Sequence, residues 1–513
     1  MWFSSGRYRL LLFAVSGNLL IAGTTSDAGK TVVVAGLCRW LARRGVSVAP
    51  FKAQNMSLNS FVTHAGEEIG RAQAVQAFAA GIEPEAAMNP ILLKPGSDRR
   101  SQVVVMGKPV GERNAVAYWR DQASLLDVVV SAYQSMRRRF DVVVCEGAGS
   151  PAEINLRSTD IVNLGFARAV NAPTVVVGDI DRGGVFASFV GTLAVLSPDD
   201  QALVHGFIVN RFRGDRALLQ PGLDMLRDLT GRSTLGVLPY VHGLALDAED
   251  ALDQTSYRNP APPIGRDVLR IAVLWLPRMS NFTDLDAFAA EPGVIVRFVT
   301  RPEELADADL AIVPGTRSTV EDLRWLRSRG FDRALAGRSA EGRPVLGICG
   351  GYQILGTLIE DGVESGAGVV DGLDMLPVRT RFGQDKVLGR PRRALDDGSV
   401  VEGYEIHHGV VTREGGEPFF ADEGCRIGSV AGTVWHGLFE NDAFRRGYLA
   451  DVAAQTDRAF VPAAGTCFAA VREARLDALG DLIAEHLDCD QVWSLITDGP
   501  RPGQPVLSLR SSF

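Results

Sequence analysis

Short runs of mostly apolar residues, separated by longer stretches of helical character, recur through both halves of the chain. They lie at residues 19–22, 142–144, 174–177 and 207–209 in the first half, and at 271–274, 310–313 and 345–348 in the second. A strand that is apolar on both faces must be covered on both faces, as in parallel sheets flanked by helices. Because 513 residues are too many for one core, the pattern predicts two α/β domains, each a doubly wound, mostly parallel sheet.

A proline-rich segment separates the two series of runs. Residues 259–265 can neither continue a helix nor form a central strand, so the stretch from Asp250 to Arg266 is expected to separate the domains. We predict an N-terminal extension at 1–15, a first domain at 16–255, a linker at 256–268, a second domain at 269–455, and a C-terminal helix and tail at 456–513. That helix is expected at about 471–487, and the tail from residue 490 as a surface strap or a disordered segment.

Composition limits the partners and the compartment. The formal net charge of −8 argues against nucleic acid and anionic membranes as partners, and the sequence leaves the oligomeric state open. The six cysteines are scattered singly, which suits a reducing compartment, and the seven histidines form no metal-ligand spacing.

Arg7 and Arg9 before the apolar residues 10–15 resemble a short signal peptide, but cleavage there would destroy the first strand. We interpret residues 1–15 as an extension and expect a cytoplasmic protein.

A glycine-rich loop at residues 23–31, Gly-Thr-Thr-Ser-Asp-Ala-Gly-Lys-Thr, follows the first predicted strand and precedes a predicted helix. Small residues such as Gly29 let backbone N–H groups surround phosphate, and a helix N-terminus favours negative charge. Lys30 is expected to neutralise the β- and γ-phosphates of ATP, and Thr31 to bind Mg²⁺. The first glycine lies one residue earlier than in the standard P-loop. The strand, the Gly-Lys-Thr and the helix still favour a nucleotide site over a simple turn.

Acidic residues follow two other predicted strands of the first half. Glu146 ends the run at 142–144, where a parallel sheet would place it beside the phosphate loop, and we predict it as a second Mg²⁺ ligand. The alternative is that Glu146 only caps the following turn. Residues 179–184, Asp-Ile-Asp-Arg-Gly-Gly, either supply a further metal or substrate contact or form a solvated loop.

A Gly-Ile-Cys-Gly-Gly sequence at residues 347–351 lies between a predicted strand and a predicted helix. A sharp strand–turn–helix exposes one side chain, and the helix N-terminus lowers the pKa of a thiol there. This context favours Cys349 as a nucleophile over an inert buried cysteine. The backbone N–H of Gly350 is expected to face a developing oxyanion, with a second donor from Gly315.

A thiolate nucleophile needs a histidine for proton transfer. His436 is our choice because it follows the apolar run at 432–435, a strand end that can face the cysteine. His407 and His408 are adjacent in the chain, and we expect them to line the pocket or to pack.

The order of phosphate loop, Gly-x-Cys-x-Gly and histidine resembles the cobyric acid synthase family of cobalamin biosynthesis. The similarity covers roughly residues 16–487 and is most specific in five stretches, at residues 49–57, 88–95, 146–156, 179–186 and 403–409. It implies a dethiobiotin-synthetase-like P-loop domain joined to a class I glutamine amidotransferase domain. It also implies a glutamine-hydrolysing carbon–nitrogen ligase that uses ATP and Mg²⁺ to amidate the b, d, e and g carboxylates of adenosylcobyrinic acid a,c-diamide. Asp160 matches a position that looks substrate-facing in that family.

One departure from the wider amidotransferase pattern concerns the partner of the histidine. The usual His-x-Glu would need an acid at position 438, where this chain has leucine. Glu440 is the nearest candidate for the missing carboxylate, and a Cys–His pair without a third member is the alternative.

Two other functions compete with this interpretation. The first is a cobyrinic acid a,c-diamide synthase or another two-domain glutamine-dependent ligase. Residues 52–57, Lys-Ala-Gln-Asn-Met-Ser, argue against the diamide synthase, because that enzyme looks like it has a Gly-Pro-Asp sequence at this place. The second is a partitioning-type switch ATPase. Those proteins carry an additional lysine at the start of the phosphate loop, and they would leave the amidotransferase half unexplained.

Overall fold

The computed structural model describes residues 16–97, 100–114, 122–241 and 261–508. The predicted extension at 1–15 and residues 256–260 of the predicted linker lie outside the described residues. Two six-stranded sheets form the centres of the two halves. Both are mostly parallel and covered by helices, so the predicted α/β architecture with doubly wound sheets is confirmed.

The first sheet is parallel throughout its described strands, and its order places the phosphate-loop strand near the middle. From one edge to the other its strands are Ser233–Pro239, Val204–Phe212, Thr174–Asp179, Gly17–Gly23, Val142–Glu146 and Val48–Phe51. Its helices are Lys30–Ala42, Arg71–Ala79, Gln122–Arg137, Leu164–Val170, Val185–Ala194, Pro198–Gln201 and Arg216–Thr230, with 3-10 turns at Ala86–Met88 and Ile154–Thr159. Strands with buried residues on both faces explain the uniformly apolar runs in the sequence.

The second sheet has the same design with one antiparallel edge strand. Its strands, in order, are Val294–Val299, Leu269–Leu274, Leu310–Val313, Val345–Ile348, Val430–Thr433 and Cys425–Ile427. Its helices are Asp286–Ala289, Thr319–Arg329, Phe331–Ala340, Gly350–Leu355 and Asp442–Gln455, with 3-10 turns at Phe282–Leu285, Pro302–Leu305 and Leu438–Glu440. The Cys349 elbow therefore lies at the carboxyl end of a central strand, where open parallel sheets bind ligands.

Smaller sheets lie beside the two central ones. One consists of Gln54–Met56, Ile91–Ser97, Arg100–Val105 and Lys108–Asn114, and another of Gly368–Asp371, Leu358–Asp361, Val378–Gly389 and Glu405–Arg413. Two hairpins pair Ser60–Val62 with Glu68–Gly70 and Arg392–Ala394 with Val400–Glu402. Residues from these smaller elements make contacts between the two halves, such as Lys386 with Glu68 and His408 with Gln102.

The C-terminal segment returns to the first half. Helix Phe468–His486 packs along helix Lys30–Ala42, where Leu479 and Ile483 join the core and Arg39 pairs with Asp477 at 2.8 Å. A second helix, Cys489–Asp498, replaces the irregular strap or disordered segment that we predicted from residue 490. Residues 499–508 form neither helix nor strand, and Gln201 binds both the N–H and the carbonyl of Leu507. In the part of the chain that the structure describes, no helix has the length and apolar character needed to cross a bilayer.

Candidate active sites

The phosphate loop connects strand Gly17–Gly23 to helix Lys30–Ala42. Gly29 has a left-handed backbone, with φ at 99°, and a Cβ there would lie 2.0 Å from Nδ2 of Asn210. Both the backbone angle and the close approach therefore require glycine at this position. The Lys30 ammonium is buried and donates to the carbonyls of Thr25 at 3.0 Å and Gly149 at 3.1 Å, so it lies over the loop rather than in solvent.

Glu146 lies beside the phosphate loop because its strand pairs directly with the loop's strand, with Ile21 opposite Glu146. The Thr31 hydroxyl donates to Oε1 of Glu146 at 2.9 Å, so the two predicted Mg²⁺ ligands are neighbours. The carboxylate has no solvent exposure and also accepts hydrogen bonds from Lys52 at 3.0 Å and from Gln76. A hydroxyl beside a carboxylate fits the oxygen preference of Mg²⁺, and the Lys52 ammonium balances the buried charge.

No group of three or more His, Cys, Asp or Glu residues suited to a metal ion occurs among the described residues. A metal ion at Thr31 and Glu146 would therefore depend on phosphate and water oxygens for its other ligands, which is the usual arrangement for Mg²⁺ at a nucleotide.

The other predicted acidic groups of the first half have local partners. Both carboxylate oxygens of Asp160 accept backbone N–H bonds, from Val162 at 3.0 Å, Asn163 at 2.8 Å and Gly165 at 2.9 Å. These bonds organise the loop that precedes helix Leu164–Val170, and the contact of Asp160 with substrate stays a prediction. Asp179 accepts a hydrogen bond from Arg211 at 2.9 Å and one from the backbone N–H of Asp181.

The cysteine elbow has the sharp, strained turn that its sequence predicts, but the Cys349 side chain is buried, at 6% exposure, rather than exposed as expected. Cys349 has φ at 50° and ψ at −110°, a rare conformation for a residue with a side chain, and its N–H donates to the carbonyl of Thr433 at 2.7 Å. A Cβ on Gly351 would lie 1.9 Å from the carbonyl oxygen of Val313, so the elbow can pass this strand only with glycine there.

The predicted oxyanion donors lie next to the elbow and the histidine. A Cβ on Gly350 would lie 2.7 Å from Cγ2 of Thr316, and one on Gly315 would lie 3.1 Å from Cε1 of His436. The loop after strand Leu310–Val313 is therefore packed between Cys349 and His436. The structure brings these four residues together, and the oxyanion role of the two glycines stays a prediction.

His436 is fully buried and has a carboxylate partner that the sequence analysis missed. Its Nδ1 lies 2.7 Å from Oδ2 of Asp284, whose other oxygen accepts the N–H of Gly437 at 2.7 Å. Burial by itself would lower the pKa of His436, but Asp284 and Cys349, by charge and hydrogen bonding, raise it to about 10. The arrangement is a Cys–His–Asp triad in which the Nδ1–H is directed toward the carboxylate.

Glu440 is not the third member, and that suggestion from the sequence is wrong. Its carboxylate accepts hydrogen bonds from Arg71 at 3.3 Å and Arg472 at 2.8 Å, which draw it to the contact between the halves. Asp284 lies in the 3-10 turn Phe282–Leu285, more than 150 residues before the histidine. A usable signal existed in the polar residues that follow strand Leu269–Leu274, because sites in parallel sheets form beyond the carboxyl ends of strands.

His407 and His408 hydrogen-bond to other groups, although His407 is close enough to His436 for the charge of His436 to act on it. Burial lowers the pKa of each to about 4, so both are neutral at physiological pH. Nδ1 of His407 lies 2.8 Å from the carbonyl of Gly409, while Nε2 of His408 lies 3.2 Å from the amide nitrogen of Gln102 in the first half.

Charged groups are buried where the two halves meet. Glu68 of the first half, without solvent exposure, pairs with Lys94 at 2.7 Å and with Lys386 of the second half at 2.5 Å. Burial would raise the pKa of Glu68, but the two ammonium groups hold it well below its usual range. Burial also lowers the pKa of Lys386, to about 8, against the pull of Glu68. The contact therefore depends on complementary charges, because either partner alone would be a buried unpaired ion.

Comparisons with known proteins agree with this two-part organisation. Residues 19–252 match a family described as the CobQ/CobB/MinD/ParA nucleotide binding domain, and residues 270–444 match the CobB/CobQ-like glutamine amidotransferase domain. A protein named cobyric acid synthase from Streptomyces avermitilis is 63% identical over 96% of this chain and 99% of its own length. Cobyric acid synthases from Streptomyces coelicolor and Nocardia farcinica are 63% and 55% identical, each over 96% of this chain and 99% of the relative.

A solved structure titled "Crystal structure of glutamine amidotransferase" covers 36% of this chain and 98% of its own, with 20% identity and a TM-score of 0.31. The near full-length relatives decide the family: the chain belongs to the cobyric acid synthase family. It is a glutamine-dependent amide-forming ligase with a nucleotide-binding domain.

Proposed function

We propose that this protein uses ATP and glutamine to convert the b, d, e and g carboxylates of adenosylcobyrinic acid a,c-diamide to amides. The observation that carries the proposal is the pairing, in one chain, of the Cys349–His436–Asp284 arrangement with the Lys30, Thr31 and Glu146 site. One site is suited to release ammonia and the other to activate a carboxylate with phosphate. The named relatives support the corrinoid as the acceptor.

In the proposed glutaminase step, the Cys349 thiolate attacks the side-chain carbonyl carbon of glutamine. The N–H groups of Gly350 and Gly315 would stabilise the oxyanion, and His436 would give its proton to the departing nitrogen, which leaves as ammonia. Water then attacks the glutamyl thioester, His436 accepts a proton from that water, and glutamate leaves with the thiolate restored. Asp284 would hold the imidazole in the required orientation throughout.

In the proposed synthetase step, a corrinoid carboxylate oxygen attacks the γ-phosphorus of ATP and ADP leaves. Lys30 and the N–H groups of the loop near Gly29 would bind the phosphates, while Thr31 and Glu146 would hold Mg²⁺, which supplies charge neutralisation when it is bound. Ammonia then attacks the acyl phosphate carbon, and phosphate leaves to give the amide. The carboxylate needs this activation because it is a poor electrophile on its own.

Apolar side chains near the phosphate site support a large, partly apolar acceptor. Met56, Ile154 and Leu156 are exposed by 51%, 57% and 37%. They lie on the two segments that follow Lys52 and Glu146, and those two residues are joined by their 3.0 Å ion pair. We propose that these side chains contact the corrin ring while its peripheral carboxylates are presented in turn.

Mass spectrometry of the corrinoid product tests the proposal. With ATP, glutamine and adenosylcobyrinic acid a,c-diamide, we expect four successive replacements of a hydroxyl by an amino group. The alternative, an a,c-diamide synthase, would instead act on cobyrinic acid and stop after two. Residues 52–57 argue against that alternative, and an unchanged a,c-diamide with a modified cobyrinic acid would refute our choice.

A further inference from the structure

Asn281 connects the two halves directly beside the proposed catalytic histidine. It is 3% exposed and has a left-handed backbone, with φ at 52° and ψ at 37°. Its Oδ1 accepts the backbone N–H of Ser60, from the first half, at 2.8 Å. Its Nδ2 lies 3.2 Å from Nε2 of His436. A single buried amide therefore joins the synthetase half to the base of the glutaminase half.

The contact with Ser60 decides which way the amide faces. A backbone N–H can only donate, so the amide oxygen must face Ser60 and the amide NH₂ must face His436. That NH₂ group can donate to Nε2 only when the imidazole is neutral. When His436 is an imidazolium, Nε2 carries a proton, and two donors would oppose each other.

The other groups around His436 either favour its protonated form or have little effect on its protonation. The carboxylate of Asp284 and the nearby Cys349 favour the imidazolium, whereas His407, held neutral by burial, adds no charge. The Tyr404 ring stacks on the imidazole with centroids 5.2 Å apart, and its backbone forms a bridge with that of His436. Beside burial itself, Asn281 therefore favours the neutral imidazole, and its orientation is fixed from the other half of the molecule.

We propose that Asn281 is a positioning residue. Its contact with Ser60 controls whether Nε2 of His436 carries a proton, and thereby controls the fraction of Cys349 that is thiolate. The proposal rests on the functions proposed above for Cys349 and His436. With the halves in the observed contact, the amide favours the neutral thiol–imidazole pair. A movement of the Ser60 segment frees the amide to turn its oxygen toward Nε2–H, which favours the reactive thiolate–imidazolium pair. Residues 52–57, close to the phosphate site, lead directly into that segment, so acceptor binding can reach it.

The pH dependence of Cys349 alkylation tests this role. Full-length protein would be labelled with iodoacetamide across a pH series, and each cysteine followed by peptide mass spectrometry, with exposed Cys467 as the internal standard. Asn281→Gly removes the amide and retains a residue that accepts a left-handed backbone. We expect the midpoint for Cys349 to move to lower pH by about one unit, or about tenfold more thiolate below the midpoint. Easier reagent access would raise the rate at every pH without moving the midpoint.

Ser60→Ala is the matched control, because it changes the same contact but keeps the backbone N–H that binds Asn281. We expect its midpoint to equal that of the wild type. Asn281→Ala removes the same amide and provides a second measurement if the glycine variant folds poorly. An unmoved midpoint in both Asn281 variants, or an equal shift in Ser60→Ala, would overturn the proposal. If the wild-type protein had no glutaminase activity, the proposed function would be refuted. If the wild type were active but the midpoints of the Asn281 variants did not move, only the role of Asn281 would be refuted.

Discussion

The two candidate sites differ in how the chain assembles them. The phosphate site is built mainly from one continuous segment, residues 23–31, and gains Glu146 from the adjacent strand. The glutaminase site draws its groups from four separate segments, which contribute Asp284, Gly315, Cys349 and His436. A site whose ligand binds mainly to the backbone can therefore be encoded by one short segment. A site that needs three reactive side chains at fixed distances must be assembled by the tertiary fold.

The substitution expected to have the largest effect should abolish one reaction and leave the other intact. Cys349→Ala should lower glutaminase activity and glutamine-dependent amidation by about 10⁶-fold, because the covalent step is lost. Synthesis from added ammonium salt should continue at the wild-type rate, since the phosphate site is untouched. Product formation with each nitrogen source is the measurement. Loss of the ammonia-dependent reaction in a folded variant would show that the two sites are not independent.

The reciprocal substitution, Lys30→Ala, should stop product formation from either nitrogen source. The expected loss is about 10⁴-fold, because the transferred phosphoryl group loses its charge partner. Glutaminase activity, measured as glutamate release, should fall far less. Ammonia-dependent synthesis at the wild-type rate would contradict the assignment of the phosphate loop.

Within the assembled site, Asp284→Asn should lower glutaminase kcat by about 10³-fold, because the amide can no longer hold His436 in its tautomer or stabilise its charge. Glu440→Gln is the matched control. Its partly exposed ion pairs are expected to be worth little, so the change should be less than about threefold. A severe effect of Glu440→Gln together with a mild effect of Asp284→Asn would restore the partner suggested by the sequence alone.

The smallest effect is expected for His408→Asn, which should lower glutamine-dependent turnover by about fivefold or less, the scale of one neutral hydrogen bond. His436→Asn should instead be as severe as Asp284→Asn. Both variants would be assayed for glutamate release and for product. If His408→Asn were the severe change, the proton shuttle would have to be reassigned, although Cys349 would keep its role.

Much of the fold and part of the sites followed from local sequence. The apolar runs predicted strands such as Gly17–Gly23 and Val345–Ile348 because both faces of these strands are buried. The C-terminal tail was harder, since helix Cys489–Asp498 is ordered by burying Val492 and Leu495 against the first half. The interpretation of residues 1–15 as an extension and the expected cytoplasmic location are still predictions.

Local sequence was enough to predict the elements that depend on backbone geometry: the phosphate loop with its left-handed Gly29, and the elbow that places Cys349 between glycines. Short-range sterics and hydrogen bonding specify these turns, so a few adjacent residues are enough. The folded structure was needed to identify Asp284, not Glu440, as the partner of His436, and to show that Asn281 joins Ser60 to the same imidazole. Those contacts join residues far apart in the chain, and their distances exist only after both sheets have formed and packed together.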